Sequence, residues 1–390
     1  MKQTFRFFAP CPRGLESVLT KELQTLGARD IEATDGGAAF IAEWQVMLRA
    51  NLESRVASRI LWMVGEGPYR TEEDIYRICR KTDWAELFDV NLTLKVAVTG
   101  NKCPLRSLEF VALKVKDAVC DGFRARTGSR PSVDTHAPDI RIHAFLTDRW
   151  AQIYLDTSGE ALFKRGYRQQ TGEAPLRENL AAGILGLTGW QAGEPLLDPM
   201  CGSGTFLIEA AWMALNIPPG HARHFAFEKF SHFNPSQWEN LRSQALSRAK
   251  PADDLLPIFG SDIDAQALDA AAANLDAAGL ADAIRLSRRD VLEREAPADK
   301  GIWLSNPPYG VRLSEQEALA AFYPELGHAL KRQFSGWRAF VFTADPMLIK
   351  LIRLSASRRT PLFNGALECR LYEFKLVAGS NRKPKADADE

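Results

Sequence analysis

The stretch LLDPMCGSGTFLIEAAWMAL, Leu196 to Leu215, changes character twice. A short apolar run ends in Asp198, a turn with two glycines follows, and apolar residues then recur at helical spacing from Phe206 onward. The pattern predicts strand, glycine turn, helix. Pro199, Cys201, Gly202, Ser203 and Gly204 form the turn. Its glycines remove the side chains that would keep a ligand away, and Thr205 is placed to cap the helix. The lysine of a P-loop and the third glycine of the dinucleotide fingerprint are both missing. Such a turn suits a ligand without a pyrophosphate; an ordinary glycine-rich βα turn is the alternative reading.

Downstream, strand-like segments alternate with helical ones: PIFGSD, AIRLSRRD, IWLSNPP, RAFVFTA, TPLFNG and CRLYEFKLV. The alternation over about 176–380 predicts an α/β, doubly wound, Rossmann-like sheet. Carboxylates close successive strands at the edge where such folds bind ligands. Asp262 ends the second strand, where an acid can accept both hydroxyls of a ribose, with Ile263 beside it. Asp264 reads as the cap of the next helix. Asp290 follows the third strand and can accept from an adenine amino group while Val291 donates a backbone N–H; a turn cap is the alternative for Asp290. As an ordered set these residues resemble the class I S-adenosylmethionine-dependent methyltransferases.

The fourth strand ends in Asn306-Pro307-Pro308-Tyr309. An exocyclic amine on a base is a poor nucleophile, because its lone pair is delocalised into the ring. The Asn306 side-chain oxygen and the Pro307 carbonyl can hold its two N–H groups and steer the lone pair outward. The prolines fix the backbone that carries these acceptors, and Tyr309 can stack on a base taken out of its own stack. A proline turn that merely ends a strand is the structural alternative. The signature resembles that of methyltransferases acting on adenine N6, cytosine N4, guanine N2 or glutamine amides, and does not choose among them.

Upstream, the polar stretch from Leu155 to Leu185 resembles the junction between a THUMP RNA-binding domain and a methyltransferase domain. The resemblance implies that Lys164, Arg165, Gly166, Tyr167 and Arg168 form the junction. It also implies that the segment with Pro175, Leu176, Arg177 and Asn179 packs over the methionine end of the cofactor. Together these motifs are most similar to the bacterial 23S rRNA guanine-N2 methyltransferases, some of which carry a second methyltransferase domain. Their implied organisation is a ferredoxin-like unit over 1–55, a THUMP domain over 56–155, a connector over 156–175 and the methyltransferase domain over 176–380. The polar tail 381–390 is expected to be disordered. The implied cofactor is S-adenosylmethionine and the implied partner is RNA: rRNA first, tRNA second. The other readings are an adenine-N6 methyltransferase and a non-catalytic RNA-binding factor.

The net charge is zero, so RNA contact requires a local basic patch. Lys102, Arg106, Lys114, Arg124 and Arg126 supply one, and Lys164, Arg165 and Arg168 a smaller one; a solvated helix face is the alternative for the first. The segment Ile217 to Lys250 separates Gly204 from Asp262 and is rich in aromatics, histidine and arginine. It reads as a surface helix and loop packed by its own rings, or as a flap over the cofactor or substrate. At 390 residues with 46% hydrophobic and 25% charged, the chain is expected to form two or three soluble domains. The six scattered cysteines and six histidines show no metal-ligand spacing. With no apolar stretch of membrane-spanning or signal-peptide length, the expectation is a cytoplasmic protein without metal, membrane or obligatory protein partner.

Overall fold

The computed structural model describes residues 3–169, 176–252, 254–308 and 313–377. It divides into two compact units. Unit 1 takes the chain up to Cys11, Leu15–Arg165 and Pro218–Arg248; unit 2 takes Pro12–Gly14, Gly166–Ile217 and the chain from Ala249 on.

Unit 1 is built on strands β1 (Thr4–Pro10), β2 (Arg29–Thr34), β3 (Gly37–Glu43), β4 (Leu61–Pro68), β5 (Leu94–Gly100), β6 (Ile140–Leu146) and β7 (Trp150–Asp156). Their order is β2-β3-β1-β4-β7-β6-β5. The two small α+β units read from the sequence thus share one seven-stranded sheet. They join where β1 pairs antiparallel with β4, Phe7 opposite Trp62, which leaves neither strand as an open edge. The helix Glu16–Leu26 buries Leu19, Leu23 and Leu26 and stops at Gly27, whose φ of 101° requires a residue without Cβ. The hairpin β6–β7 turns at Thr147–Asp148, with the Thr147 N–H donating to Trp150 O at 2.9 Å.

The segment Pro218–Arg248 groups with unit 1, although the sequence places it inside the 176–380 region. The physical reason is aromatic. Phe230 is buried, with ring centroids 6.5 Å from Trp44 and 6.4 Å from Trp62. It also bridges to Phe88. Lys229 pairs with Asp139 at 2.5 Å and the Gly220 N–H donates to Leu52 O at 2.9 Å. Phe225, Phe227 and Trp238 pack on one another, as the plain reading of this segment expects.

Unit 2 contains β8 (Leu196–Asp198), β9 (Ile258–Asp262), β10 (Arg285–Arg288), β11 (Ile302–Ser305), β12 (Arg338–Thr343), β13 (Arg358–Asn364) and β14 (Leu367–Lys375), in the order β10-β9-β8-β11-β12-β14-β13. The first five run parallel, and β14 inserts antiparallel between β12 and β13. All four residues of β11 are buried. Continuous apolar runs like these belong to strands covered on both faces. One face packs on Tyr323, Leu326, Leu330, Phe334 and Trp337 around Trp303 and Val341. The order reverses at β8, between β9 and β11, so the ends of β8, β9, β11 and β12 share one edge: Asp198, Asp262, Ser305 and Thr343. That edge beside the reversal is where doubly wound sheets bind ligands. The tail 381–390 lies outside the described residues.

Candidate active site

The glycine turn is held from below. The Cys201 N–H donates to Ser261 O at 3.0 Å, and the Gly204 N–H to Cys201 O at 2.8 Å. The Gly202 N–H donates to Asp262 Oδ2 at 3.0 Å. The two glycines answer different demands. Gly202 has φ 51°, and a Cβ there would meet nothing within 4 Å, so it would stand in the open space over the turn. Gly204 has φ 79°, and its Cβ would sit 3.3 Å from Ala271 Cβ on the next helix. At the first the absent side chain leaves the turn backbone uncovered, and at the second it lets two elements approach.

Asp198 closes β8 and is only 2% exposed. Burial pushes its pKa up to about 8. The Ser305 hydroxyl and the Met200 N–H pull the other way, and the charge of Asp262 adds to the rise. Burial also pushes the Cys201 thiol up, reinforced by the same two aspartates, so it is not poised as a thiolate nucleophile. Asp262 Oδ1 accepts from the Asp264 N–H at 3.0 Å, so each carboxylate oxygen holds one backbone N–H and keeps a lone pair for a further donor. Beside it Ile263 is 61% exposed, an apolar surface suited to a flat heterocycle. Asp264 caps its helix as expected, accepting from the Gln266 N–H at 2.9 Å. Asp290 Oδ1 accepts from the Leu292 N–H at 2.9 Å, which is the turn-capping alternative; among the described residues its other oxygen accepts no hydrogen bond. Val291 is buried beneath it.

Thr205 does not cap its helix. Gly204 occupies the cap position without a side-chain bond, and Thr205 is the first helical residue. Its hydroxyl instead accepts from Arg168 Nη2 at 3.2 Å. Arg168 also pairs with Glu178 at 2.9 Å, donates to Leu176 O at 2.9 Å, and reaches Ser203 Oγ at 3.5 Å. This corrects its assignment as an RNA contact: the guanidinium is mostly buried and spent on the turn. Arg165 is corrected likewise, being 3% exposed and donating to Leu162 O at 2.7 Å and Arg55 O at 2.6 Å. Lys164 is exposed and paired with Glu160 at 2.6 Å. In the larger basic group, Lys102 and Arg106 are exposed. Lys114 pairs with Glu73 at 3.5 Å, Arg124 with Asp121 at 3.0 Å and Arg126 with Asp83 at 3.8 Å.

Asn274 was not among the expected site residues. Its Nδ2 donates to Ser203 O at 3.0 Å and its Oδ1 accepts from the Gln169 N–H at 2.8 Å, tying the turn to the connector. The one hint in the sequence is a polar residue inside the alanine run AAAANLDAA. Leu176 and Asn179 are buried at the head of the helix Glu178–Thr188, whose cap position is Arg177.

At the end of β11, Asn306 is half-buried, Pro307 buried and Pro308 exposed. The Asn306 Oδ1 atom is shielded from solvent and accepts no hydrogen bond from the described residues. A buried carbonyl oxygen left this way costs free energy until a donor arrives. Tyr309 and Pro175 lie outside the described residues.

A family model described as the RMKL-like methyltransferase domain, UPF0020, matches residues 165–373. A THUMP domain model matches residues 69–156, and an RlmL ferredoxin-like domain model matches residues 6–61. The ribosomal RNA large subunit methyltransferase K/L of Aeromonas salmonicida is 41% identical over an alignment covering 98% of this chain and 56% of that protein. The chain therefore spans about half the length of the curated relatives it matches. The crystal structure of SMU.472, a putative methyltransferase complexed with SAH, superposes with a TM-score of 0.88 at 32% identity, covering 97% of this chain and all of that one. A possible methylase from Clostridium difficile 630 superposes with a TM-score of 0.89 at 28% identity and the same coverage.

Proposed function

The chain belongs to the family of RMKL-like methyltransferase domains, and on that footing we propose that it moves a methyl group from S-adenosylmethionine to the N2 amine of a guanine in RNA, with 23S rRNA as the leading substrate. The observation that carries the reading is the buried Oδ1 of Asn306, without a partner among the described residues, beside the Pro307 carbonyl. It is an acceptor waiting for an N–H donor at the ligand-binding edge of the sheet.

The residues present fit the cofactor. The open space over Gly202 admits a ligand against the turn backbone, and Arg168 ties Leu176 O to Ser203 and Thr205 of the same turn. The spare lone pairs of Asp262 suit two ribose hydroxyls, exposed Ile263 suits the face of an adenine, and the free Asp290 oxygen with the Val291 N–H suits its edge. The cofactor supplies an electrophilic methyl on a sulfonium. Asn306 Oδ1 and the Pro307 carbonyl hold the two hydrogens of the guanine amine, which turns its lone pair toward that methyl. The prolines keep these acceptors in place, so little reorganisation accompanies the reaction. No strong general base is required, because the amine loses its proton only after the new bond has formed. Lys102, Arg106, Lys114, Arg124 and Arg126, all in unit 1, supply cationic surface for the RNA backbone.

The deciding experiment is transfer from labelled S-adenosylmethionine to total RNA lacking this modification, with the product nucleoside identified by mass spectrometry. The expected result is N2-methylguanosine in the large rRNA; the same nucleoside in tRNA would move the substrate, and N6-methyladenosine would overturn the guanine reading. Asn306→Ala is expected to lower transfer by about 10²-fold or more while cofactor affinity holds. An equal loss of cofactor binding would show that Asn306 serves the cofactor rather than the base.

A further inference from the structure

Two strands beyond Asn306, the same sheet edge carries a second feature. A cavity of about 250 Å³ is lined by Thr343, Pro346, Glu368, Cys369, Arg370 and Tyr372, among others. That is several times the roughly 30 Å³ of a water molecule in the liquid. Its polar groups are ordered. Thr343, the last residue of β12, lies directly opposite Arg370 on β14. Ser305, the last residue of β11, lies opposite Val341, and Val341 lies opposite Tyr372. The ends of β11, β12 and β14 thus form a row across three neighbouring strands, with Asn306 and Pro307 following β11 at one end and Arg370 on β14 at the other. At strand spacing the row is about 10 Å long. That matches the Watson–Crick edge of a purine with one hydrogen bond of about 2.9 Å at each end. Glu368, two residues before Arg370, is on the same side of β14 and further out from the sheet. It is joined to Arg370 at 3.1 Å. Both side chains are exposed at the cavity, and Met347 and Leu367, next to its lining, are exposed apolar surface.

The polarity of this pair chooses among bases. A guanine whose N2 amine is methylated presents, along the same edge, a donor at N1–H and then an acceptor at O6. An adenine presented by its N6 amine has only ring acceptors beside that amine. We propose that Glu368 and Arg370 read the Watson–Crick edge of the target guanine, Glu368 accepting from N1–H and Arg370 donating to O6, while Asn306 and Pro307 hold N2. The inference rests on the guanine-N2 reading above and says how that site tells guanine from other amino-purines. An acceptor facing N1–H and a cation facing O6 are both mismatched by a base with the opposite polarity, and a site of paired polar groups rejects such a base strongly.

2,6-Diaminopurine isolates this step. It keeps the N2 amine but replaces N1–H with an acceptor and O6 with a donor. The test is an RNA fragment spanning the nucleotide at which N2-methylguanosine forms, synthesised with guanine or 2,6-diaminopurine at that one position. Wild-type protein is expected to favour guanine in kcat/KM by at least tenfold. Glu368→Gln and Arg370→Ala are each expected to cut that preference severalfold, mainly by slowing the guanine reaction. SAH affinity and melting temperature should stay at wild-type values, which separates base reading from folding. If wild type methylates guanine and both variants keep its preference, base reading by this pair is overturned while the methyltransferase reading stands. If wild type makes no N2-methylguanosine, both fall.

Discussion

Asp198 is an acid kept protonated by its surroundings, and this has a consequence for stability. In the folded chain it holds its proton up to about pH 8, whereas an aspartate in the open chain releases it near 3.8. Between those values the folded state binds more protons than the unfolded one, so this group makes stability fall as pH rises from about 4 to about 8 and level off above. Its slope is at most about 1.4 kcal/mol per pH unit. Asp198→Asn removes the titration, so denaturant unfolding of wild type and variant at pH 5 and pH 8 is expected to show the wild type losing stability relative to the variant. Parallel behaviour of the two proteins would mean that Asp198 is ionised in the fold.

The strand-turn-helix element from Leu196 to Ala214 owes its shape to residues outside it. Arg168 binds Glu178, Leu176 O, Thr205 and Ser203 at once, and Asn274 holds Ser203 from the other side. The Arg168–Glu178 pair is mostly buried, with side-chain exposures of 14% and 7%. Removing one partner leaves an uncompensated charge, so Arg168→Ala is expected to cost about 3 kcal/mol. It should also weaken cofactor binding, because the turn loses its clamp. RNA affinity measured against salt should keep its slope, since the guanidinium makes no surface contact; a shallower slope would return Arg168 to the RNA face. The basic junction motif is visible in the sequence, but a run of charged residues does not say which members turn inward.

Unit 1 is completed by a segment that the chain supplies late. The residues from Pro218 to Arg248 leave the methyltransferase region and return to it, and Phe230 sits with Trp44 and Trp62 beside the β1–β4 junction. Truncating a buried phenylalanine costs about 3–5 kcal/mol. Phe230→Ala is therefore expected to lower the stability of unit 1 while sparing unit 2. Hydrogen exchange would report this as lost protection in β1 and β4 with little change in β8, β9 and β11. Loss of protection confined to β8, β9 and β11 would contradict the grouping.

Local chemistry made the strands and helices of the methyltransferase unit legible in advance. Apolar runs closed by Asp198, Asp262 and the Asn-Pro-Pro turn, with helical spacing between them, mark their elements without knowledge of any partner. The helix cap of Asp264 was equally readable, because a cap is satisfied within a few residues. What the chain does at longer range was not written in those patterns. The fusion of two α+β units into one sheet, the return of Pro218–Arg248 to unit 1, the inward turn of Arg165 and Arg168, and the service of Asn274 all join groups far apart in sequence. Such pairings form only where packing brings a buried donor to an acceptor or one ring to another. They depend on the sum of many weak contacts across the fold, and no short window of residues carries that sum.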